Sequence, residues 1–595
     1  METVNKKKKA LLFGGTDGHG ITMTVISEKN LSTKYTVERV CRYQRTLPQG
    51  NNIPRDALPK DCGTSSPEFF WGSTFLTYDY IHLERGDLVV VVDIPLPLKQ
   101  RLGFSAAEDA IRKIRELTDR EIRVILIDHH KRAITHYGNA IKSGAELIFS
   151  IGAEQYCHYG RPDEFSRFWG ARGAICDRDT SMLPVEDDEI TPFQHMEQDA
   201  AWLDKEKENL EQLILKIMRD DRHIPSMSVT SEDSEVHPSK GNVSYIEKLK
   251  PSTGFKQLDG ACAVNHTSYG VGIVTDCTAV LVINYWKTEM FNDWKKRTLP
   301  VALKLPRYLG TAGHDTALVI SLDSSDCRKA KERMHEIIEV LNSDRIEKTE
   351  WLVSEADAID YFAQVFRTIP IAYNLTMHGW NHVETVIANT QLLGSISNLP
   401  NHEQTLLNWS ALFHDIGNGA YASRDEYGLD VESEKEARDK HEHYTVQILR
   451  KMQENGLFEN LIPEQDFDII CEICAKHRKK TDLPKDPHVR ELCSLLRLAD
   501  ALDKTKSRAR QNDNGLRYSE VKKMLEQEKN FKSIQHWEGQ RAIDSIRLQI
   551  SRNHIIFEFL VTDREKADFI IDDFKKELEP LTEIIPPWEI NVISL

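Results

Sequence analysis

Carboxylate and imidazole side chains follow the short apolar segments of residues 1–190, at the point where each segment ends. In "VILIDHH", residues 124–130, a run of Val, Ile and Leu stops at an aspartate and two histidines. Three other segments end similarly, and the groups concerned are Asp17, Asp93, His129 and Asp177. Such ligands suit divalent cations such as Mn²⁺ or Mg²⁺, and a cation removes the repulsion between packed carboxylates. Two neighbouring ions can hold the attacking and leaving oxygens of a phosphoryl displacement.

A second set of chemically useful residues lies in a helical part of the chain. His378 and His382 stand one helical turn apart, and His414-Asp415 follows an apolar helix that Gly417 ends. Asp500 lies in an otherwise apolar helix, where burying a lone carboxylate is costly without a partner. A divalent cation bound by His382, His414, Asp415 and Asp500 would be that partner, with positions left open for water and phosphate.

The residues of the first set come together only if their strands form a parallel sheet. Continuous Val/Ile strands alternate with helical patterns such as "SAAEDAIRKIRELTD", which predicts an α/β unit whose sheet is covered on both faces. Ligands bind at the carboxyl ends of such strands, so the four groups are expected to converge.

The rest of the chain changes pattern several times. The predicted fold class is multidomain: an α/β parallel-sheet domain and a small α/β domain, then an all-α domain and a small α+β C-terminal appendage. A charged helix is expected at 194–222, and a hairpin with Arg552-Asn553 at its turn near the C-terminus. The predicted boundaries are 1–190, 191–250 (connecting helix and loop), 251–348, 349–512 and 513–595.

Composition narrows the function classes. The chain has 595 residues and a net charge of −16, which disfavours non-specific coating of long nucleic acid. Its ten cysteines show no disulfide framework, as in proteins of a reducing cytosol. No apolar run is long enough for a membrane span, and the lysine-rich start lacks a signal-peptide core. We therefore expect a cytoplasmic protein without a membrane partner.

The first set resembles the DHH phosphoesterase superfamily, through "TDGHG", Asp93, Asp128-His129-His130 and "GAICDRDT". The resemblance implies that His129 and the aspartates hold metal and that His130 contacts the substrate phosphate. "GTAGHDTA" resembles the motif of the DHH-associated domain, which implies phosphate contacts from Gly313 and His314. Gly15 and Leu11 stand where the family has ligands, so one metal position is weakened unless His19 substitutes. A one-metal enzyme and a binding domain that no longer cuts are both compatible with this departure.

The second set resembles the HD phosphohydrolase superfamily, in the order His382, His414-Asp415 and Asp500. The resemblance implies a second metal position at His441, with His443 as its competitor, and a similar role for His477. Cys471 and Cys474 are expected to pack inward as small apolar residues rather than to hold zinc. Basic residues near this site, among them Arg478 and Lys479, either attract an anionic substrate or form a solvated helix face and loop, and the sequence leaves both interpretations open.

Together, the two resemblances predict a metal-dependent phosphohydrolase or phosphodiesterase with two hydrolase-type modules. Its expected substrates are nucleotides, cyclic dinucleotides or short oligonucleotides, and its catalytic residues His130 and Asp415. Mn²⁺ is the expected metal, with Mg²⁺, Ni²⁺ or Fe²⁺ as alternatives. Two other hypotheses are a nuclease on single-stranded nucleic acid within a defence complex, and a nucleotide-sensing scaffold with a degenerate DHH module and an active HD module. A homo-oligomer and membership of a larger complex are both compatible with the sequence.

Overall fold

The computed structural model of the chain describes most of its N-terminal and C-terminal thirds and less of its middle. The described residues are 7–14, 18–40, 70–96, 106–130, 134–176, 239–240, 243–248, 269–275, 278–283, 308–314, 317–322, 334–335, 338–339, 375–376, 378–459, 461–509, 516 and 518–595. The helix expected at 194–222 lies outside them, as do Gly15, Asp17 and Asp177.

The N-terminal region forms the predicted parallel sheet. Its strands lie in the order β5-β4-β3-β1-β2, and all of these neighbours run parallel. The strands are β1 (Lys8–Gly14), β2 (Tyr35–Val40), β3 (Leu88–Val92), β4 (Arg123–Asp128) and β5 (Glu146–Gly152). The helices are α1 (Gly18–Ser32), α2 (Ala106–Asp119), α3 (Ile134–Lys142) and α4 (Glu164–Cys176).

Both faces of this sheet are buried, which explains the continuous apolar runs in its strands. One face carries Leu11, Val89 and Val124, in the core that α2 and α3 cover. The opposite face carries Leu12 and Val90, in the core to which α1 and α4 contribute.

The middle of the chain contains a second, smaller sheet of six strands in the order β10-β11-β9-β8-β7-β6. These strands are β6 (Ser239–Lys240), β7 (Val243–Ile246), β8 (Tyr269–Thr275), β9 (Thr278–Ile283), β10 (Tyr308–His314) and β11 (Ala317–Leu322). Residues 334–335 and 338–339, which follow these strands, are helical.

A helical region follows and is continuous with the core of the N-terminal sheet. Its helices are α5 (Trp380–Ile396), α6 (Asn401–Phe413), α7 (Arg424–Tyr427), α8 (Glu434–Asp439), α9 (His441–Glu454), α10 (Glu464–Lys476), α11 (Pro487–Ala501), α12 (Tyr518–Gln527) and α13 (Phe531–Arg541). Helix α5 packs on α3 so closely that a Cβ atom at Gly138 would overlap the Ser395 side chain. Among the described residues, no helix combines the length and apolar character needed to cross a bilayer.

The C-terminal strands complete the N-terminal sheet. The predicted hairpin is confirmed, with Arg552-Asn553 at its turn. Its first strand pairs antiparallel with β5, so one sheet of eight strands joins the two ends of the chain. The elements are β12 (Ile543–Ser551), β13 (His554–Val561), α14 (Arg564–Leu578) and β14 (Trp588–Ser594). The strands of the α+β appendage predicted at 513–595 thus belong to the N-terminal sheet; alternation identifies a strand but does not identify its partner.

Candidate metal centres

Three helices and one sharp turn position the ligand candidates of the first cluster in the helical region, and α9 and α10 position those of the second. His382 lies in the first turn of α5, Asp500 in the last turn of α11, and His414 directly after α6. The turn after Asp415 is a short 3₁₀ helix, Ile416–Gly419. A Cβ atom at Gly417 would overlap the backbone of α9, so the glycine allows α9 to approach the turn.

The first cluster of this region gathers around His382. The Nε2 atom of His382 lies 3.3 Å from His414 Nε2 and 3.4 Å from Asp500 Oδ1. Asp415 Oδ2 lies 3.5 Å from His382 Nε2 and 3.7 Å from His414 Nε2. His382, His414 and Asp415 present ligand atoms within 4.8 Å of one another, and Asp500, the fourth residue proposed for this cation, contacts the group through His382.

A second cluster uses the other oxygen of the same aspartate. Asp415 Oδ1 lies 3.1 Å from His441 Nε2 and 3.6 Å from His477 Nε2, and these two nitrogens are 3.1 Å apart. His443, the competitor of His441, lies outside the cluster, and its Nε2 is 2.7 Å from Gln447 Nε2. Asp415 thus lies between two groups of ligands and presents one carboxylate oxygen to each.

In the histidine rings of both clusters, the hydrogen bonds of Nδ1, on the side away from the cluster, fix the tautomer. Backbone carbonyl oxygens, which can only accept, lie within hydrogen-bond distance of Nδ1 in three rings: Ala411 O at 2.7 Å from His414, Arg438 O at 2.9 Å from His441 and Cys474 O at 2.6 Å from His477. The fourth ring, that of His382, has its Nδ1 2.8 Å from a carboxylate oxygen, Asp503 Oδ2. Each Nδ1 therefore carries a hydrogen, and in the neutral rings Nε2 has a lone pair directed into a cluster.

Facing lone pairs and carboxylate oxygens fit cations. At about 2.0–2.2 Å from a common metal ion, imidazole and carboxylate ligands lie about 3 Å from one another. Without a positive charge between them, the acceptor atoms of these clusters repel. The donor set therefore fits two divalent cations that share Asp415.

Electrostatics keep three of these ligands, Asp415, Asp500 and His414, in their metal-binding forms. Burial raises the pKa of Asp415, but His414, His382 and their neighbours outweigh it and hold the pKa well below its usual range. Burial likewise opposes ionisation of Asp500, and His382 with Arg508 lowers its pKa. Burial lowers the pKa of His414 to about 4, so this ring is neutral near pH 7.

A third cluster lies at the carboxyl ends of β3 and β4. His129 Nε2 is 3.1 Å from Asp93 Oδ1, and His129 Nδ1 is 3.1 Å from Glu154 Oε1. His19 Nδ1 lies 3.5 Å from the same Asp93 oxygen. Asp93 has a φ of +57°, in the left-handed region that residues other than glycine adopt only uncommonly. Its Oδ2 atom has no hydrogen-bond partner among the described residues although it is buried, which fits a cation at this place.

Asp128 and His130, the neighbours of His129 in the sequence, form an ion pair in this cluster. His130 Nδ1 lies 2.6 Å from Asp128 Oδ1, and the Tyr137 hydroxyl donates to Asp128 Oδ2. Burial lowers the pKa of His130, but Asp128 outweighs it and raises the pKa above its usual value. Asp128 therefore orients His130, and the ligand atoms of both residues lie within 4.8 Å of those of Asp93 and His129.

The remaining predicted site residues have different surroundings. Gly313 and His314 lie in β10, whose backbone alone is described. Arg478 Nη1 is 3.1 Å from Glu442 Oε2 and donates to Asp439 O, while Lys479 Nζ donates to Asp573 Oδ1 at 2.6 Å. Both cations are thus engaged within the protein.

Several residues that lie in or beside these clusters were not predicted from the sequence. Asp503 follows Asp500 by three residues in "RLADALD", a spacing that indicates a second inward carboxylate. Glu154, in a short 3₁₀ helix after β5, has no local signal. The buried amide of Asn418 lies three residues after Asp415 and has no hydrogen-bond partner among the described residues.

Cys471 and Cys474 are buried, as expected. Burial raises the pKa of both thiols. The metal-like groups found among the described residues contain neither of them.

Comparison with solved structures gives weak likenesses. A DHH domain from a family of ribosomal proteins has 13% identity and a TM-score of 0.23, covering 56% of this chain and 88% of that one. Exonuclease RecJ bound to manganese has 12% identity and a TM-score of 0.21, with 56% and 90% covered. RecJ from Thermus thermophilus in complex with Mn²⁺ has 12% identity and a TM-score of 0.23, with 60% and 56% covered. TM-scores this low describe poor superposition.

The helical region has a clearer relation. No curated protein matches the chain. Residues 371–583, fewer than half of the chain, match the family model HD-CE, and this segment contains every ligand candidate of the helical region.

Proposed function

We propose that the helical region is the catalytic centre of a metal-dependent phosphohydrolase that uses two divalent cations. The single observation that carries this proposal is Asp415, whose two carboxylate oxygens face two separate groups of imidazole nitrogens. Neighbouring cations of this kind polarise a phosphoryl group and lower the pKa of a coordinated water, which is the chemistry needed to cleave a phosphate ester.

The proposed roles of the side chains follow from their geometry. His382, His414 and Asp500 hold one cation together with Asp415 Oδ2, and His441 and His477 hold the other together with Asp415 Oδ1. Asp503 keeps the hydrogen of His382 on Nδ1, so that its lone pair stays available. The fixed ligands leave the cations' other positions to water and to phosphate oxygens.

We propose a third cation position at Asp93 and His129 in the N-terminal region, to which Asp17 and Asp177 would contribute. His130, held by Asp128, would contact phosphate there. Gly313 and His314 would contact phosphate from the smaller sheet. Gly15, which stands where the DHH pattern has a ligand, favours the alternative that this module binds a nucleotide without cutting it.

The proposed substrates are small: nucleotides, cyclic dinucleotides or short oligonucleotides, with Mn²⁺ as the metal. Net charge of −16 disfavours a long nucleic acid, and two cations of the expected basic patch are engaged by carboxylates. A nuclease acting on single strands within a larger complex would need a positively charged groove from a partner.

The test is a hydrolysis screen of cyclic dinucleotides, nucleoside triphosphates and short oligonucleotides with Mn²⁺, Mg²⁺ and Ni²⁺. Asp415→Ala should abolish turnover, whereas His443→Ala, on the outer surface of α9, should leave it unchanged. Full turnover in Asp415→Ala would contradict the assignment of the helical centre.

His130→Ala and Gly15→Asp address the N-terminal module in the same screen. If this module also cuts, His130→Ala should remove part of the activity and Gly15→Asp should increase it. If it only senses nucleotide, both variants should keep the turnover of the parent while nucleotide affinity changes.

A further inference from the structure

A buried arginine of the C-terminal hairpin contacts the segment that follows β5. Arg547, on β12, is 1% exposed, and its Nε donates to Glu558 Oε2 at 2.7 Å. Its Nη1 lies 2.8 Å from Gly160 O, 3.4 Å from His158 O and 3.5 Å from Tyr156 O. A guanidinium is suited to this arrangement because its fixed fork serves a carboxylate and carbonyl oxygens together.

A second residue of β12 holds the same segment from its other end. Asp544 O accepts a hydrogen bond from Ala153 N at 3.2 Å, and Asp544 Oδ2 accepts one from the Tyr156 hydroxyl at 3.1 Å. The 3₁₀ helix Glu154–Tyr156 is therefore fastened on both sides of Glu154 by residues that lie almost 400 positions later.

Glu154 in turn contacts a predicted metal ligand. Its Oε1 lies 3.1 Å from His129 Nδ1, while His129 Nε2 faces Asp93 Oδ1 at 3.1 Å. A carboxylate that accepts the Nδ1 hydrogen of an imidazole fixes the orientation of the ring and keeps the Nε2 lone pair for a cation. Asp503 stands in the same relation to His382 in the helical centre.

We propose that Glu154 is the positioning residue of the N-terminal cation site and that Arg547 and Asp544 of β12 hold it in place. This inference rests on the proposed cation site at Asp93 and His129. The N-terminal site is thus completed by a strand that the chain reaches only after the whole helical region, and residues 1–190 alone would bind the cation weakly.

The test uses full-length chains that carry Asp415→Ala, which removes the ligand shared by the two cations of the helical centre. Mn²⁺ binding by this parent then reports on the N-terminal cluster and is measured by titration with electron paramagnetic resonance. Glu154→Ala should weaken binding by about 10–100-fold, the usual effect of losing such a partner. Glu154→Gln should restore most of the affinity, because the amide oxygen still accepts the Nδ1 hydrogen.

The long-range part of the proposal needs a change on β12. Arg547→Lys keeps a positive charge for Glu558 but loses the fork, so Mn²⁺ should bind several-fold more weakly. Arg564→Lys, in an exposed pair with Asp568, is the matched control and should bind like the parent. Tyr156→Phe removes only the hydroxyl bond to Asp544 and serves if Arg547→Lys does not fold.

The outcomes separate the inference from its premise. If Arg547→Lys and Tyr156→Phe both bind Mn²⁺ as the parent does, the role of β12 is wrong. If Glu154→Gln loses as much affinity as Glu154→Ala, Glu154 acts as a charged ligand and not as a positioning residue. If the parent itself binds no Mn²⁺, the proposed N-terminal cation site fails and the inference fails with it. Each variant in a chain with native Asp415 should still load the helical centre, which shows that it is folded.

Discussion

The N-terminal and helical clusters contain the same ligand types but hold them in different ways. In the helical centre, Nδ1 of three rings is held by backbone carbonyls, and the fourth ring, His382, lies between carboxylates at both nitrogens. In the N-terminal cluster, both nitrogens of His129 lie next to carboxylates. Burial lowers the pKa of His129, but Glu154 and Asp93 outweigh it and hold the pKa well above its usual range.

This difference determines whether a cation must displace a proton from the imidazole ring that binds it. The buried neutral ring of His414, with a pKa of about 4, offers its lone pair near pH 7 without losing a proton. At His129 the cation competes with a proton that two carboxylates retain. His414 therefore accepts a cation at neutral pH without losing a proton, whereas His129 has to lose one. His382 behaves like His129, because burial and Arg508 lower its pKa but Asp415 and Asp503 outweigh them and raise it.

Among ligands that serve a single cation, the largest expected effect comes from removing His441, which holds the second cation of the helical centre. Loss of a group behind a ligand costs about 10–100-fold, so His441→Ala should lower turnover by at least about 100-fold. The bound Mn²⁺ of the helical centre should fall from a pair to a single ion. His443→Ala, two residues away on α9, is the control. If His441→Ala and His443→Ala have equal turnover, His441 does not hold a cation, and the description of the helical centre is wrong.

Asp503 is expected to have the next largest effect, through its contact with His382 Nδ1. Asp503→Ala should weaken metal binding of the helical centre by about 10–100-fold, whereas Asp503→Asn keeps an acceptor and should lose less. Calorimetric titration with Mn²⁺ measures both. Unchanged affinity in Asp503→Ala would remove the parallel between Asp503 and Glu154.

The contact between α3 and α5 tests whether the two regions share one core. Gly138→Ala places a Cβ atom against Ser395 and should lower the free energy of unfolding by about 1–3 kcal/mol. Denaturant unfolding measures this loss, and adding Ser395→Gly should recover part of it by making room. A Gly138→Ala chain as stable as the wild type would show that the helices are not in close contact.

The smallest effect concerns pH. Burial opposes ionisation of Glu442, but Lys480 and Arg478 outweigh it and lower its pKa from 4.5 to about 2. The unfolded chain therefore takes up this proton first, and the stability that the pair contributes is lost as pH falls below 4.5. Between about pH 5 and about pH 3, wild type should lose more stability than Glu442→Gln, by less than about 1 kcal/mol. Parallel pH profiles of the two chains would contradict this.

The parts that could be predicted from the sequence are those with local patterns. The Val/Ile runs of β3 and β4 predicted buried parallel strands, because a sheet covered on both faces needs apolar residues at every position. His382, His414, Asp415 and Asp500 could be grouped because each breaks an apolar helical surface, where an unpartnered charge is costly.

The parts that could not be predicted depend on distant partners. Nothing in the pattern of β12 indicates that it pairs with β5, since its alternation would suit any half-buried sheet edge. Glu154 has no local signal because its role arises from the position of His129 in the fold. The engagement of Arg478 by Glu442 likewise depends on how α9 meets the end of α10.

The central claim is that Asp415 joins two cations in the helical region. The most direct measurement is electron paramagnetic resonance of the full-length chain loaded with Mn²⁺. We predict the signal of two exchange-coupled ions, about 3.5–4 Å apart as in other two-metal sites, and the loss of this coupled signal in Asp415→Ala. Isolated, uncoupled Mn²⁺ in the wild type, with the same spectrum in Asp415→Ala, would contradict the account.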